Sequence, residues 1–214
     1  MTVMVGNLEI NDWFRSINNI NVDLWITDPP YPFASQNGTG RYNNMYSRFT
    51  WKTLEDVFKK MYNRTADGGR AYVFCNRDGL HKTIKGLEDA GFRFLNILIW
   101  DKQHFGGGYH WRNQVEYIVY VSKGKPSCYI KGLSNVFNYK KPVKGDAISS
   151  INYKPEGTSP KPHFIWTDIL THGSCDDDIC ADPFSGSNPM RAALLTNPNL
   201  LNKIKDAYTN VYIT

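Results

Sequence analysis

The sequence predicts an α/β fold, in which a mostly parallel β-sheet carries helices on both faces. Strand-like and helix-like hydrophobic patterns alternate along the chain, as they do in parallel sheets covered by helices. The chain has 214 residues, a length typical of a single domain. Its hydrophobic fraction of 41% supplies a core and excludes a disordered chain. We therefore expect one domain over residues 1–214.

The first half of the pattern begins with a short apolar strand at residues 22–27. Apolar residues then recur at helical spacing after Thr53, which is the predicted N-cap of a helix. The glycine pair at 68–69 is expected to end this helix, because glycine is a poor helix former. Residues 71–74 are continuously hydrophobic and predict a buried strand.

The second half continues the alternation of helices and strands. One segment, residues 124–160, departs from it, because glycine and proline are scattered among lysine and tyrosine there. We expect a short irregular insert at this place. The other predicted elements are a helix from Leu80 to Gly91, strands at 92–100, 115–121 and 179–181, a helix starting near Phe164, and a helix with Asn188 as N-cap and Pro189 as first residue.

The hydrophobic and cysteine patterns exclude a membrane protein and favour a cytoplasmic one. No apolar run approaches the roughly 20 residues of a membrane span, and the N-terminus lacks the pattern of a signal peptide. The four cysteines form no CxxC pair and have no histidine at zinc-like spacing. We therefore expect buried or incidental thiols, with neither a disulfide framework nor a metal site.

Positive charge is concentrated in one part of the chain. Residues 120–161 contain eight lysines and two acidic residues, whereas the whole chain has a formal net charge of +5. Such a segment is either a solvated lysine-rich loop or a surface that contacts phosphates. The lysines that lie among aromatic residues in this segment are Lys131, Lys140, Lys141, Lys144 and Lys154.

The sharpest motif is Asp28-Pro29-Pro30-Tyr31, at the end of the first predicted strand. The two prolines fix the backbone and remove two N–H donors, which leaves the Asp28 carboxylate and the Pro29 carbonyl as rigid acceptors. The aromatic face of Tyr31 follows directly. This combination suits a planar group that carries an NH2, such as a nucleobase, because the acceptors bind the amine while the ring stacks. The alternative is a rigid turn that ends a strand.

A second strand end has a similar composition. Asp182-Pro183-Phe184 follows the predicted strand at 179–181. Ligands of open α/β sheets bind outside the carboxyl ends of the strands. We therefore expect the two Asp-Pro segments to open onto the same crevice, although they lie far apart in the sequence.

Together with further segments, these motifs resemble the amino-group DNA methyltransferases that use S-adenosylmethionine, in the group whose catalytic motif precedes the cofactor motif. The resemblance implies a Rossmann-like domain whose recognition region is the insert at 124–160. It also implies that the five lysines of this insert bind DNA. The matching segments, in order, are 6–31, 68–74, 99–102, 116–124, 161–162 and 182–187.

The resemblance assigns roles to individual residues. It implies that a target base leaves the duplex to reach the site, and that no metal is needed because the sulfonium is already a good leaving group. The implied catalytic residues, which hold and activate the target amine, are Asp28, Pro29, Pro30 and Tyr31. The implied cofactor-binding residues are Asp28, Lys161, Pro162, Asp182, Pro183, Phe184, Ser185, Gly186, Ser187 and Asn188.

The implied activity is site-specific methylation of the exocyclic N6 amine of adenine in DNA. Aspartate at the head of the motif favours adenine, since relatives specific for cytosine N4 more often have serine there. Cytosine N4 methylation and an RNA substrate stay open as alternatives. The resemblance also leaves open a homodimer and a restriction endonuclease partner.

Two departures from the family pattern support a further alternative, a DNA-binding relative with impaired catalysis. The cofactor loop has Asn188 where the family usually has a small residue, often glycine. The last predicted strand, residues 210–214, ends without the acidic residue that usually binds the cofactor ribose. The nearest acidic residue is Asp206, in a stretch that looks helical. We expect such changes to weaken cofactor binding.

Overall fold

The computed structural model describes residues 1–32, 49–105, 110–128, 132–140 and 161–210. Within them, strands and helices alternate as the sequence predicts. The strands are β1 (Thr2–Gly6), β2 (Val22–Thr27), β3 (Thr65–Cys75), β4 (Arg93–Asp101), β5 (Val115–Ser122), β6 (Val136–Asn138), β7 (Asp178–Asp182) and β8 (Ile204–Asn210). The helices are α1 (Ile10–Ser16), α2 (Trp51–Arg64), α3 (Leu80–Asp89), α4 (His163–Gly173), α5 (Pro189–Thr196) and α6 (Pro198–Lys203).

The described strands form one eight-stranded sheet in the order β1-β8-β7-β2-β3-β5-β4-β6. Five of its seven neighbouring pairs are parallel, and β5 runs antiparallel to both β3 and β4. The prediction of a Rossmann-like, mostly parallel α/β sheet is therefore confirmed. Because β5 is reversed, its first residues lie at the same edge of the sheet as the last residues of β2, β3 and β4.

Helices cover both faces of this sheet. Helices α1, α2 and α3 pack on one face, where Trp13 and Phe58 are buried. Helices α4, α5 and α6 pack on the other face, where Trp166, Met190 and Leu200 are buried. Burial on both faces explains why β2 and the second half of β3 are continuously hydrophobic rather than alternating. None of these helices, in the described part of the chain, is long and apolar enough to cross a membrane.

Helix α2 begins and ends earlier than the sequence predicts. Its N-cap is Thr50, whose hydroxyl accepts a hydrogen bond from the Thr53 N–H at 3.2 Å, so the prediction of Thr53 is wrong by one turn. The helix ends at Arg64, and the glycine pair 68–69 lies inside β3, where the pairing with β2 shifts register. Gly68 has a φ of 78°, which glycine adopts without steric strain. The glycines therefore form an irregularity of the strand and do not end the helix.

Near the C-terminal end of the described chain, the structure confirms the predicted start of α5 but not the predicted helix around Asp206. Helix α5 begins as predicted, with Asn188 as N-cap and Pro189 as first residue. Asp206, however, lies in β8 and not in a helix, because pairing with β1 and β7 on its two sides imposes an extended backbone. Residues 211–214, which were predicted as part of the last strand, lie outside the described residues.

The four cysteines divide into two kinds. Cys75 and Cys180 are buried free thiols, as the sequence predicts. Cys128 and Cys175 form a disulfide with their Cα atoms 5.8 Å apart, so the expectation of free thiols is wrong for this pair. Spacing could not reveal the contact, because 47 residues separate the two positions in the sequence.

The segment 124–160 is described at 124–128 and 132–140, where it is largely irregular. A three-residue strand within it, β6, pairs in parallel with the end of β4 and forms one edge of the sheet. Lys140 is described and exposed. The other lysines predicted to bind DNA lie outside the described residues; they are Lys131, Lys141, Lys144 and Lys154.

Candidate active site

The two Asp-Pro strand ends lie side by side. Strands β2 and β7 are parallel neighbours in the sheet. Asp28, directly after β2, is therefore next to Asp182, the last residue of β7. The predicted proximity of the two strand ends is thus confirmed. We call residues 28–31 the β2 tip and residues 182–188 the β7 tip.

Hydrogen bonds from side chains fix the β2 tip. The Tyr31 hydroxyl donates to Oδ1 of Asp28 at 2.6 Å. The Lys161 ammonium donates to Oδ2 of Asp28 at 2.5 Å, and it lies 5.4 Å from the centre of the Tyr31 ring. Both carboxylate oxygens of Asp28 therefore have partners, one a neutral hydroxyl and the other a cation. The next residue, Pro29, is buried.

Glu116 and Lys102 extend this cluster, although the sequence does not predict either as a site residue. Oε2 of Glu116 lies 3.3 Å from the Lys161 ammonium and 3.5 Å from the Tyr31 hydroxyl. Nζ of Lys102 lies 3.5 Å from the other oxygen of the same carboxylate. The available signal was a charged residue near the start of an apolar strand. Its meaning depends on the reversal of β5, which brings Glu116 to the β2 tip.

Burial and charge determine the protonation of this cluster. The side chains of Asp28 and Lys161 are 23% and 8% exposed. Burial raises the pKa of Asp28, and the neighbouring Lys161 ammonium offsets only part of this effect. Burial acts to lower the pKa of Lys161, but the carboxylates of Asp28 and Glu116 outweigh it and raise that pKa. Burial acts to raise the pKa of Glu116, but the ammonium groups of Lys161 and Lys102 outweigh it and lower that pKa. One lysine cation is therefore shared between two carboxyl groups.

The β7 tip is held mainly through its backbone. The Phe184 N–H donates to Oδ1 of Asp182 at 3.0 Å, and the Ser185 N–H donates to the Asn210 carbonyl oxygen at 2.9 Å. Because Asn210 is the last residue of β8, this second bond anchors the tip to the neighbouring strand. The residues of the tip from Asp182 to Asn188 are buried, except that Gly186 is partly exposed.

Asn188 replaces a small residue of the family pattern without disturbing the β7 tip. It has φ 54° and ψ 57°, a left-handed conformation that asparagine tolerates better than most residues. Its Oδ1 accepts from the Arg191 N–H at 3.2 Å and caps α5, while its Nδ2 donates to Oγ1 of Thr209 at 3.1 Å. Asparagine thus supplies both the conformation expected of glycine and a helix cap. The preceding Gly186 also has a positive φ, 47°.

Two buried polar atoms of the β7 tip have no hydrogen-bond partner among the residues that the structure describes. They are Oγ of Ser185 and Oδ2 of Asp182, which lies near the Thr27 hydroxyl without reaching hydrogen-bond geometry. Burial raises the pKa of Asp182 to about 7. Since buried polar atoms in native proteins are nearly always hydrogen-bonded, these two fit a ligand that carries hydrogen-bonding groups.

The remaining predicted residues lie at different positions relative to the two tips. Lys161 and Pro162 are buried, and the Lys161 ammonium binds the β2 tip, although the resemblance assigned Lys161 to the cofactor pocket. Asp206 pairs with Ile179, three residues before the end of β7. At about 3.3 Å per residue, it lies roughly 10 Å back from the edge that carries the tips. Its Oδ1 accepts a hydrogen bond from the Thr2 N–H.

The chain matches a known protein family over most of its length. A family profile described as DNA methylase matches residues 22–197, a range that includes both tips. Type II methyltransferase M.HpaI of Haemophilus parainfluenzae is 25% identical over an alignment of 199 residues that covers 82% of this chain. The chain spans 61% of the length of that relative. Type II methyltransferase M2.MboI of Moraxella bovis is 24% identical over 207 residues, and the alignment covers 82% of this chain and 72% of that protein.

Solved structures share the fold. The crystal structure of the M1.HpyAVI–SAM complex has a TM-score of 0.69 and 18% identity, with 100% of this chain and 94% of that chain covered. PvuII DNA methyltransferase (cytosine-N4-specific) has a TM-score of 0.68 and 12% identity, with 98% and 82% covered. At these identities the similarity concerns the fold alone. The family profile, in contrast, extends over most of the sequence, and the chain therefore belongs to the DNA methylase family.

Proposed function

We propose that the chain transfers a methyl group from S-adenosylmethionine to the exocyclic N6 amine of adenine in DNA, on a base flipped out of the duplex. The observation that carries the proposal is the position of the β2 tip beside the β7 tip. The β2 tip offers hydrogen-bond acceptors and an aromatic ring for the amine and its base. The β7 tip offers buried polar atoms for a cofactor. Membership of the DNA methylase family supports DNA as the substrate.

The β2 tip activates the amine by accepting its protons. The Asp28 carboxylate and the Pro29 carbonyl each accept one N–H of the amine, while the base stacks on Tyr31. Accepting both protons draws the nitrogen out of conjugation with the ring and makes its lone pair available. Asp28 also accepts the proton that the amine releases on methylation, a role that its raised pKa favours.

Lys161 must give up part of its interaction with Asp28 when the amine binds. Its ammonium lies 2.5 Å from Oδ2 of Asp28 and 3.3 Å from Oε2 of Glu116. A small movement towards Glu116 therefore releases an acceptor on Asp28 without leaving the buried cation unpaired. Such an exchange avoids the large cost of an isolated buried charge. Glu116 is thus a positioning residue, since it acts through Lys161.

S-adenosylmethionine supplies an electrophilic methyl group on a sulfonium when it is bound. Oδ2 of Asp182 and Oγ of Ser185 would hold its amino-acid part, because these buried atoms have no partner among the described residues. Gly186, without a side chain, would allow the cofactor to approach the backbone. The other cofactor-binding residues that we propose are Asp28, Lys161, Pro162, Pro183, Phe184, Ser187 and Asn188. The SAM complex of M1.HpyAVI, a protein of the same fold, supports this cofactor.

Cytosine N4 is the second candidate for the target amine. The similarity in fold to PvuII DNA methyltransferase, which is cytosine-N4-specific, favours it. Asp28 at the head of the motif favours adenine, on the resemblance described above. Both amines are planar NH2 groups, so the acceptors of the β2 tip serve either one.

The surroundings of the site complete the proposal. We assign the insert at 124–160, with its excess of lysine, to contacts with DNA phosphates.

We propose that residues 1–214 form one methyltransferase domain. The names of the relatives, Type II methyltransferases, are consistent with a restriction–modification role and an endonuclease partner. A homodimer is a further arrangement that light scattering can test.

One experiment tests the proposed reaction and distinguishes the two amines. The protein is incubated with methyl-labelled S-adenosylmethionine and DNA of mixed sequence, and the DNA is then digested to nucleosides. We expect label in N6-methyladenine. Label in N4-methylcytosine supports the second candidate. If no label enters DNA while calorimetry shows DNA binding without cofactor binding, the chain is a catalytically impaired DNA-binding relative. A parallel incubation with RNA tests the remaining substrate.

A further inference from the structure

The β4–β5 loop, which the structure describes at residues 102–105 and 110–114, exposes two large aromatic residues. Trp111 is 97% exposed and Phe105 is 56% exposed. By contrast, Trp25, Trp100 and Trp166 are fully buried. An aromatic residue so exposed is typical of a surface that binds a partner, because covering its ring is strongly favourable. We therefore expect this loop to bind a partner.

The loop begins and ends at the candidate active site. Its two ends are joined by the hydrogen bond from the Lys102 N–H to the Gln114 carbonyl oxygen at 3.2 Å, and Nε2 of Gln114 donates to Asp101 at 2.7 Å. Lys102 also approaches Glu116, which belongs to the cluster at the β2 tip. Trp111 is five residues from Glu116, so their Cα atoms are at most about 18 Å apart. This distance corresponds to roughly five base steps of DNA.

The composition of the loop fits nucleic acid. Between Asp101 and Glu116 the sequence contains Lys102, Arg112 and two histidines, but no acidic residue. The Arg112 guanidinium lies over the Phe105 ring, 5.6 Å from its centre. Aromatic rings beside cations are the combination that binds unstacked bases and the neighbouring phosphates. A partner of opposite charge with exposed planar groups is thus favoured over an apolar protein surface.

We propose that Trp111 enters duplex DNA at the place that the target base leaves and stacks on the neighbouring base pairs. The inference rests on the proposed function, because only a flipped base leaves such a gap. An inserted aromatic or apolar side chain compensates for stacking that is lost at a disrupted base step. Phe105 and Arg112, which contact each other, bind the adjacent base and phosphate.

The test uses the full chain and two measurements. Binding to a labelled random-sequence duplex is followed by fluorescence anisotropy, and we expect Trp111→Ala to raise Kd about tenfold and Trp111→Phe to restore most of the affinity. Methyl transfer is then compared on duplex DNA and on the same DNA after heat denaturation. We expect Trp111→Ala to lower kcat/KM about tenfold on the duplex, and far less on single strands, which need no base flipping. Leu201→Ala, an exposed apolar residue of α6, is the matched control and changes neither measurement.

Each outcome decides between the alternatives. Unchanged Kd and unchanged transfer in Trp111→Ala overturn the loop proposal and leave the proposed function intact. Equal losses on duplex and single strands also overturn it, as does a change of oligomeric state with unchanged DNA binding, which assigns the loop to a second copy of the chain. If the unsubstituted chain methylates no DNA but Trp111→Ala still weakens duplex binding, the proposed function fails and the loop remains a DNA-binding surface. Circular dichroism and cofactor calorimetry verify that the variants are folded.

Discussion

The β2 tip and the β7 tip both begin with Asp-Pro, but they are held in different ways. At the β2 tip, the two oxygens of Asp28 bind the side chains of Tyr31 and Lys161. At the β7 tip, Asp182 accepts a hydrogen bond from the Phe184 N–H, and its other oxygen has no partner among the described residues. Side-chain partners can be exchanged during a reaction, whereas backbone partners hold a fixed surface. The difference separates a tip suited to proton and charge movement from a tip suited to binding.

The substitution Asp28→Ala removes the function of the β2 tip and has the largest expected effect. Without the carboxylate, the target amine loses an acceptor and a base, so we expect the rate of methyl transfer to fall about a thousandfold. We expect cofactor binding, which we assign mainly to the β7 tip, to change far less. Labelled methyl transfer and calorimetry measure the two effects. Asp12→Ala, an exposed aspartate of α1, is the control, and normal turnover in Asp28→Ala refutes the assignment.

The substitution Asp182→Asn separates the charge of the β7 tip from its shape, because the amide keeps an oxygen for the Phe184 N–H. The pKa of Asp182 is about 7, so its ionised form becomes dominant as pH rises through that value. The amino group of the cofactor is a cation, and we therefore expect wild-type affinity to increase over the same interval. The variant should bind about tenfold more weakly at pH 8, with little pH dependence. Parallel pH curves for the two proteins would contradict this role.

The same carboxyl group also predicts a pH effect on stability without cofactor. Its pKa is raised by burial from 3.8 to about 7, so folding favours the protonated form. The contribution of Asp182 to the free energy of unfolding is therefore complete below about pH 4 and falls by roughly 1.4 kcal/mol per pH unit up to about pH 7. Asp182→Asn lacks this decline. Urea unfolding of both proteins at pH 5 and pH 8 measures the difference. An equal change in the free energy of unfolding between the two pH values would exclude this effect.

The substitution Glu116→Gln sharpens the comparison by fixing the partner of Lys161. With the second carboxylate removed, the ammonium stays on Asp28 and competes with the target amine. We expect kcat to fall about tenfold, with little change in the KM for DNA, because the amine reaches Asp28 only after the DNA has bound through other contacts. Glu88→Gln, an exposed residue of α3, is the control. An unchanged kcat in Glu116→Gln shows that Lys161 needs no second carboxylate.

Substitution of Asn188 has the smallest expected effect and tests the backbone of the β7 tip. Asn188→Ala loses the cap of α5 and places alanine at a positive φ, so we expect a loss of about 2 kcal/mol in the free energy of unfolding. Asn188→Gly also loses the cap and the hydrogen bond to Thr209 but adopts the same φ freely, so we expect a loss about 1 kcal/mol smaller than that of Asn188→Ala. Urea unfolding ranks the two variants. The reverse ranking would indicate that the left-handed conformation is not what the position requires.

The sequence was sufficient to predict most elements, because their signals are local. The apolar strand at 22–27 and the asparagine–proline start of α5 appear in the structure as predicted. Helix boundaries were less certain, since Thr50 and Thr53 are both suitable caps and only packing selects Thr50. The glycine pair at 68–69 was misassigned for a similar reason, because a glycine can either end a helix or allow an irregular strand.

Only the two Asp-Pro strand ends could be predicted from the sequence to form one site. Asp28 and Asp182 each follow an apolar strand, and the rule for parallel sheets brings such ends together. No such rule predicts the disulfide between Cys128 and Cys175 or the contact of Glu116 with Lys161. They depend on which strands become neighbours, and on the reversed direction of β5.

The sequence by itself determined the alternation of strands and helices, the two Asp-Pro strand ends and the acceptors at the first of them. These features depend on hydrophobic periodicity and on the fixed φ of proline, which act within a few residues. Only the tertiary structure decided that Lys161 pairs with Asp28, that Glu116 shares this cation, and that the β7 tip has buried polar atoms without partners in the described part of the chain. Such interactions join residues far apart in the sequence, and their strength comes from a burial that exists only after the sheet has assembled.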